Sequence, residues 1–286
     1  MKILVPVDGS KYGRWATEWA ARMPVTPPNQ ITALHVIDVA ALRAPFMVQP
    51  IIVGTEHVIQ AEIKRLLARG KEVAAETTAL LATLRVQGKV LTAKEAVVPA
   101  ILKRAGRNGL IAIGHRGLDA LDRFFLGSVS SAVTQHASCS VLVVKQSPRP
   151  IRRILLATDG STSSEKALQF VLKKMQARRT GQNDAPLAIE VTVLHVMPFL
   201  KYPEVKETGK ALVHYYADKL AKAGYEVEEV SKLGHPADEI MKVAEQHGID
   251  LVVAGAKGLG AVARFFLGSV SMRLVQHSPC SVLVVR

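Results

Sequence analysis

The sequence predicts an α/β protein built from two tandem, doubly wound domains, each with a five-stranded parallel sheet of the Rossmann-like kind. Three observations carry this expectation. Short apolar runs rich in β-branched residues alternate with segments of helical period along the whole chain. Matching blocks recur in the same order in both halves. Glycine- and serine-rich turns gather after the first and fourth strand of each half.

In the first half, "KILVPV" is a short apolar run ending at a turn, and "SKYGRWATEWAARM" follows at helical period with Ser10 placed as an N-cap. Then come the strand "ITALHVI", a long helix over about residues 56–85, the strand "KVLTAKEAV" and the short helix "PAILKRAG". The strand "LIAIG", a helix opened by "GSVSSAVTQH" and the strand "SVLVVK" complete it. The second half repeats the order with "RILLAT", "STSSEKALQFVLKKM", "AIEVTVLHV", "VKETGKALVHYYADKLAKAG", "EVEEVSKLG", "PADEIMKVAEQHG", "DLVVAG", "GSVSMRLVQH" and "SVLVV". Strands apolar on both faces and separated by helices imply a parallel sheet covered on both sides.

The duplication is literal in places. "RFFLGSVS" stands at Arg123–Ser130 and again at Arg264–Ser271, inside a longer match of Gly114–Lys145 with Gly255–Arg286. Upstream, "ILVPVDGS" matches "ILLATDGS" and "LHVID" matches "LHVMP". The joint falls at "QSPRPIR", which sets the expected domains at 1–146 and 151–286. So long a period is a pair of domains and not a solenoid.

With 286 residues, each half can bury its own core, and 49% apolar against 21% charged residues places the chain among globular proteins. No apolar run reaches the roughly 18–20 residues of a membrane span. "MKILVPVDGS" reads as strand and turn with no signal peptide. Two cysteines do not make a disulfide scaffold, so the expected location is the cytoplasm. The net charge of +13 is uneven, with 19 Lys/Arg against 10 Asp/Glu in residues 1–150. The charges are scattered over helices, which reads as a solvated surface and not as a nucleic-acid footprint.

In a doubly wound sheet, ligands bind beyond the carboxyl ends of the strands, where strand order reverses. Here "DGS" follows strand one, and Gly114-x2-Gly117-x9-Gly127-Ser128 follows strand four, mirrored by Gly255-x2-Gly258-x9-Gly268-Ser269. The chemistry suits phosphate. Glycines admit close approach of the backbone, and Gly127-Ser128 opens a helix whose N-terminus attracts anions. Ser128 and Ser130 add hydroxyls, while Asp8 and Asp159 are placed to accept hydrogen bonds from a ribose or a base. The competing reading is that the glycines mark tight turns and Ser128 is only a cap.

Taken with "DGS" and the "LHV" of strand two, this glycine string resembles the ATP-binding signature of the universal stress protein family, in both halves and over essentially the full chain. The resemblance implies strand order 3-2-1-4-5, ATP accompanied by Mg²⁺ between strands one and four, and domains paired through their fifth strands. It implies that Pro6 and Asp8 approach the adenosine, that Val36 and Ile113 line the base, and that Gly114, Gly117, Gly127, Ser128, Val129 and Ser130 wrap ribose and phosphates. The second-half counterparts are Ala157, Asp159, Val196, Ala254, Gly255, Gly258, Gly268, Ser269, Val270 and Ser271. Arg116 and Lys257 lie inside the glycine loop, and Arg123 and Arg264 begin the repeated string; phosphate contact and a solvated surface role are both open for these four.

The halves have diverged. The second has "GHPADEI" after its third strand where the first has "KEAVVPAI", and the first carries an apolar stretch, Ala44–Val53, read as ordinary packing with a lid or a contact surface as the alternatives. "GLGAVA" at Gly258–Ala263 mimics a dinucleotide fingerprint but follows the wrong strand, and no G-x4-G-K-[S/T] string occurs. Of the loop acids, Asp119 and Asp122 do not recur in the second half, so a dedicated ATPase is not expected. His35, His195, His136 and His277 lack ligand spacing and read as core or interface residues. Antiparallel fifth strands would hold Cys139 and Cys280 roughly 20 Å apart, beyond disulfide reach. The functional expectation is an ATP-binding, nucleotide-responsive regulator or protective factor in a stress response. The alternatives are a nucleotide-free interaction scaffold or a weak ATP hydrolase. The protein partner is unidentified, no membrane is involved, and a homodimer is left open.

Overall fold

The computed structural model describes residues 1–26, 28–39, 56–106, 109–118, 126–180, 186–197, 203–258 and 267–286. The first half runs β1 (Lys2–Pro6), α1 (Lys11–Arg22), β2 (Gln30–Val36), α2 (Glu56–Thr83), β3 (Gly88–Ala93), α3 (Val97–Ala105), β4 (Leu110–Gly114), α4 (Ser128–His136) and β5 (Ser140–Val144). The second runs β6 (Arg153–Thr158), α5 (Thr162–Lys174), β7 (Arg178–Thr180), β8 (Pro186–Ala188), β9 (Glu190–Met197), α6 (Pro203–Lys222), β10 (Glu226–Leu233), α7 (Pro236–Gln246), β11 (Leu251–Gly255), α8 (Ser269–His277) and β12 (Ser281–Val285).

Local chemistry explains most boundaries. Ser10 caps α1 by accepting from the Gly13 N–H, and Ser161 caps α5 by accepting from Ser164. Helix α3 starts at Val97, two residues before the expected Pro99, because a proline in the first turn forfeits only an N–H that has no helical partner. The antiparallel pair β7–β8 was not anticipated from the sequence.

Ten strands form one sheet in the order β10-β9-β6-β11-β12-β5-β4-β1-β2-β3. Each half therefore has its strands in the order 3-2-1-4-5, all parallel, and the halves meet through antiparallel β5 and β12. The register pairs Leu142 with Leu283, equivalent residues of the two halves, so the pseudo-twofold axis passes between them. Beyond the paired residues, the Lys145 N–H donates to Ser281 Oγ and the Arg286 N–H to Ser140 Oγ, continuing the seam at both ends. Cys139 and Cys280 lie just outside opposite ends of this pairing, both free and buried. Burial pushes both thiols above their ordinary pKa.

Because the sheet is continuous, its two cores are continuous too. One face packs Trp19 of α1, Val73 of α2, Leu168 of α5 and Tyr216 of α6 into a single cluster. The other packs Ile101 of α3, Val133 of α4, Ile240 of α7 and Leu274 of α8. A second stitch crosses the seam where the Thr26 N–H reaches Lys174 O and the Gln176 N–H reaches Pro24 O. The joint between the halves is latched by buried Asp250, whose Oδ2 accepts from the N–H groups of Arg152 and Arg153 while Oδ1 pairs with Arg149 at 2.7 Å. No helix among the described residues is long and apolar enough to cross a membrane.

Candidate functional site

Strands β1 and β4 are hydrogen-bonded neighbours whose chains depart to opposite sides, and their carboxyl ends open a crevice. In the first half this is a cavity of about 360 Å³, at the small end of the range for small-molecule sites. All of the first-half residues that the resemblance marks, with Arg116, line it: Pro6, Asp8, Val36, Ile113, Gly114, Gly117, Gly127, Ser128, Val129 and Ser130. Leu34, Val97 and Ile101 complete an apolar wall. Leu34 was legible as the residue two before Val36 on the same strand face. Val97 and Ile101 share a helix face at i, i+4, a pattern that the mis-set start of α3 concealed. Arg123, Arg264, Asp119, Asp122, the Phe residues of "RFFLGSVS" and the stretch Ala44–Val53 lie outside the described residues.

The glycines serve different ends. A Cβ on Gly114 would lie 2.7–2.8 Å from Tyr12 atoms, and one on Gly255 would lie 2.5 Å from the Ser163 carbonyl. These glycines let the first turn of a helix press on the end of a strand. Gly117 and Gly258 instead face the carboxylates of Asp8 and Asp159, at 2.7 and 2.8 Å from a Cβ. Gly127 and Gly268 close the loop: their N–H groups donate to His115 O and Ala256 O, both at 2.8 Å.

Asp8 acts as a latch. Its Oδ1 accepts from the Ser10 N–H at 3.0 Å and its Oδ2 from the Leu118 N–H at 3.1 Å, which ties the glycine loop to the turn after β1. Asp159 accepts from Ser161 in the same way. A carboxylate has about four acceptor sites, so room remains beside the latch. Ser130 and Ser271 are buried, and their hydroxyls donate to Gly114 O and Gly255 O at 2.6 Å. Of the two hydroxyls expected to serve a phosphate, that of Ser130 is thus used in joining the last helix to strand four. Val129 and Val270 pack against the core below.

The element suited to an anion is the backbone. Helix α4 has Gly127 as N-cap with no side-chain cap, and its first rung is Ser131 N–H to Gly127 O. The N–H groups of Ser128, Val129 and Ser130 precede that rung at the positive end of the helix, beside the cavity. Helix α8 repeats the arrangement from Gly268, with Met272 N–H to Gly268 O. The second half keeps Ala157, Val196 and Ala254 at the positions of Pro6, Val36 and Ile113, so its equivalent of Ile113 is smaller. Lys257 O accepts from Ser161 Oγ at 3.4 Å. The strand-two histidines are structural: His35 Nδ1 meets Val7 O at 2.9 Å and His195 Nδ1 meets Thr158 O at 2.8 Å. A carbonyl can only accept, so each ring carries its proton on Nδ1.

His115, directly after β4, is edge-on to Tyr12, with Nδ1 3.2 Å from Val144 O. Burial, helped by the positive charge of Arg116, holds its pKa down at about 4. The unfolded chain, titrating near 6.5, takes up the proton first, so this residue costs stability as pH falls from about 6.5 toward 4. In His115→Ala, which installs the residue found at Ala256, the stability lost between pH 7 and pH 4.5 should shrink. After allowance for solvent screening, the difference should be about 1–2 kcal/mol. Urea midpoints at the two pH values measure it, and an unchanged acid loss would contradict the assignment.

Fold and topology together define a tandem α/β protein with a switch point in each half and a cavity at the switch point of the first. The chain belongs to the universal stress protein family, whose model matches residues 1–145 and again 150–286. A universal stress protein of Mycolicibacterium smegmatis is 30% identical over 292 residues, covering 99% of this chain and 96% of that one. A solved universal stress protein from Archaeoglobus fulgidus matches the fold over 100% of this chain and 98% of its own, with TM-score 0.70 and 21% identity. A family protein from Arabidopsis thaliana solved with AMP bound covers 47% of this chain and 90% of its own, with 24% identity and TM-score 0.36.

Proposed function

We propose that this protein binds an adenine nucleotide, ATP in the first instance, in the crevice of each half, and acts as a nucleotide-responsive regulator or protective factor. The observation that carries the reading is the uncapped N-terminus of α4, opening beside a cavity with an apolar wall. The base would lie against Leu34, Val36, Ile101 and Ile113, and the phosphates would meet the N–H groups of Ser128 and Val129, with Arg116 alongside. Among the described residues no group of three or more His, Cys, Asp or Glu side chains could hold a metal. Mg²⁺ would accompany the nucleotide on its phosphates. Nucleotide occupancy would act by ordering the glycine loop and changing the surface offered to a partner.

The test is to purify the protein without added nucleotide, denature it and quantify released adenine nucleotide by chromatography, with calorimetric titration of ATP alongside. Gly127→Glu and Gly268→Glu are suitable blocking variants. Their φ angles of −59° and −64° suit any residue, and a Cβ would meet its nearest atoms at 3.4 and 3.3 Å. Nucleotide in the parent, lost by about half in each variant and wholly in the double variant, is the expected result. A parent that carries none and binds no added ATP leaves an interaction scaffold instead.

A further inference from the structure

The last helix of each half has a second anchor, and it comes from the other half. Arg286, directly after β12, donates from Nη2 to Thr134 O at 2.6 Å and to Gln135 O at 3.2 Å. Those carbonyls belong to the last turn of α4. Lys145, directly after β5, donates from Nζ to Ser278 O at 2.9 Å and to Leu274 O at 3.4 Å, at the end of α8. Lys145 and Arg286 are equivalent positions of the duplication, so the exchange is reciprocal. It follows from the seam, where the antiparallel register carries each strand end across the axis toward its neighbour's last helix.

These contacts are made against a solvation cost. Burial drives the Lys145 ammonium down to about 8 and lowers the Arg286 guanidinium from its ordinary value, while Arg286 Nε is buried with no partner. In return, cations stand on the carbonyl ends of two short helices, where positive charge is favoured. A nine-residue helix is about 13 Å long, so holding its last turn sets where its first turn stands. In α4 the first turn is fixed from its own half by Ser130 Oγ to Gly114 O, and the last turn from the opposite half by Arg286.

We propose that Arg286 positions the phosphate-facing helix of the first crevice and Lys145 that of the second, so that nucleotide affinity in each half depends on a cation supplied by the other. This rests on the nucleotide reading above, and deepens it: the two sites are structurally interlocked. Neither residue touches the nucleotide; each acts through the helix.

The experiment is made on the full chain. Arg286→Met and Lys145→Met are each placed in the Gly127→Glu and Gly268→Glu backgrounds, which leave one site at a time, and ATP affinity is measured by calorimetry. The expected pattern is crossed. Arg286→Met weakens the first-half site by roughly 10-fold and leaves the second within about 2-fold, and Lys145→Met does the reverse. Arg286→Lys and Lys145→Arg should restore most of the loss. Amide hydrogen exchange on nucleotide-free protein gives an independent reading, with faster exchange in α4 alone for Arg286→Met and in α8 alone for Lys145→Met. Losses that follow the variant's own half, fall equally on both sites or are absent overturn the proposal. So does exchange that rises equally in both helices. If the parent binds no ATP while exchange is still crossed, the nucleotide reading fails and the anchoring across the seam stands.

Discussion

Gly255→Ala should cost the protein about 3 kcal/mol of stability, whereas Gly268→Ala, thirteen positions on in the same motif, should cost under about 1 kcal/mol. At position 255 the added methyl would stand 2.5 Å from the carbonyl carbon and oxygen of Ser163, in the first turn of α5. Backbone cannot step aside as a side chain can, so either helix and strand separate or the peptide distorts. At position 268 the nearest atoms would be 3.3–3.4 Å away and φ is −64°, which an alanine adopts without strain. Urea unfolding of both variants provides the comparison. Equal losses would show that the first glycine of the string is no tighter than the last. The same logic makes Gly114→Ala a folding variant and not a ligand-binding one, since its methyl would meet the backbone of Tyr12 at 2.8 Å.

Removal of the Asp250 carboxylate should be comparably severe. Asp250→Ala strips the acceptor from two backbone N–H groups at the joint of the halves and unpairs Arg149, with an expected loss of about 3 kcal/mol. Asp250→Asn should lose only about 1 kcal/mol, because both N–H groups bond the same oxygen, Oδ2, at 2.8 and 3.0 Å. An amide oxygen can take that place. What asparagine forfeits is the ion pair with Arg149, whose side chain is 46% exposed and whose contribution is correspondingly screened. Thermal unfolding of the two variants decides it. An asparagine as damaging as alanine would mean that the charge, and not the acceptor, holds the joint.

Much of the site was legible in the sequence because its residues are local to two short segments. "DGS" and the glycine string each fall between one strand and the helix that follows it in the chain, and strand four must neighbour strand one once the order 3-2-1-4-5 is adopted. The roles of individual atoms were less legible, because they depend on partners distant in the chain. Asp8 was expected to face the ligand; it lines the cavity, and its oxygens also hold the glycine loop through Leu118, 110 residues away. Ser130 was expected to offer a hydroxyl to phosphate; it donates that hydrogen to Gly114 O. Both assignments follow from side-chain direction at a crowded strand end, which residue type and spacing do not encode.

By itself the sequence determined that this protein is one α/β unit written twice, with apolar strands for a covered parallel sheet and a glycine-serine turn before the last helix of each copy. Those features depend on periodicity and on turn and cap chemistry, which act within a few residues. The resemblance already implied pairing through the fifth strands; only the tertiary structure decided the register of that seam, and that Lys145 and Arg286 each serve the opposite copy's helix. Strand register at the seam is chosen by packing Leu142 on Leu283 between layers brought together from the whole chain. A shift of one residue there would turn every side chain of the strand to the other face.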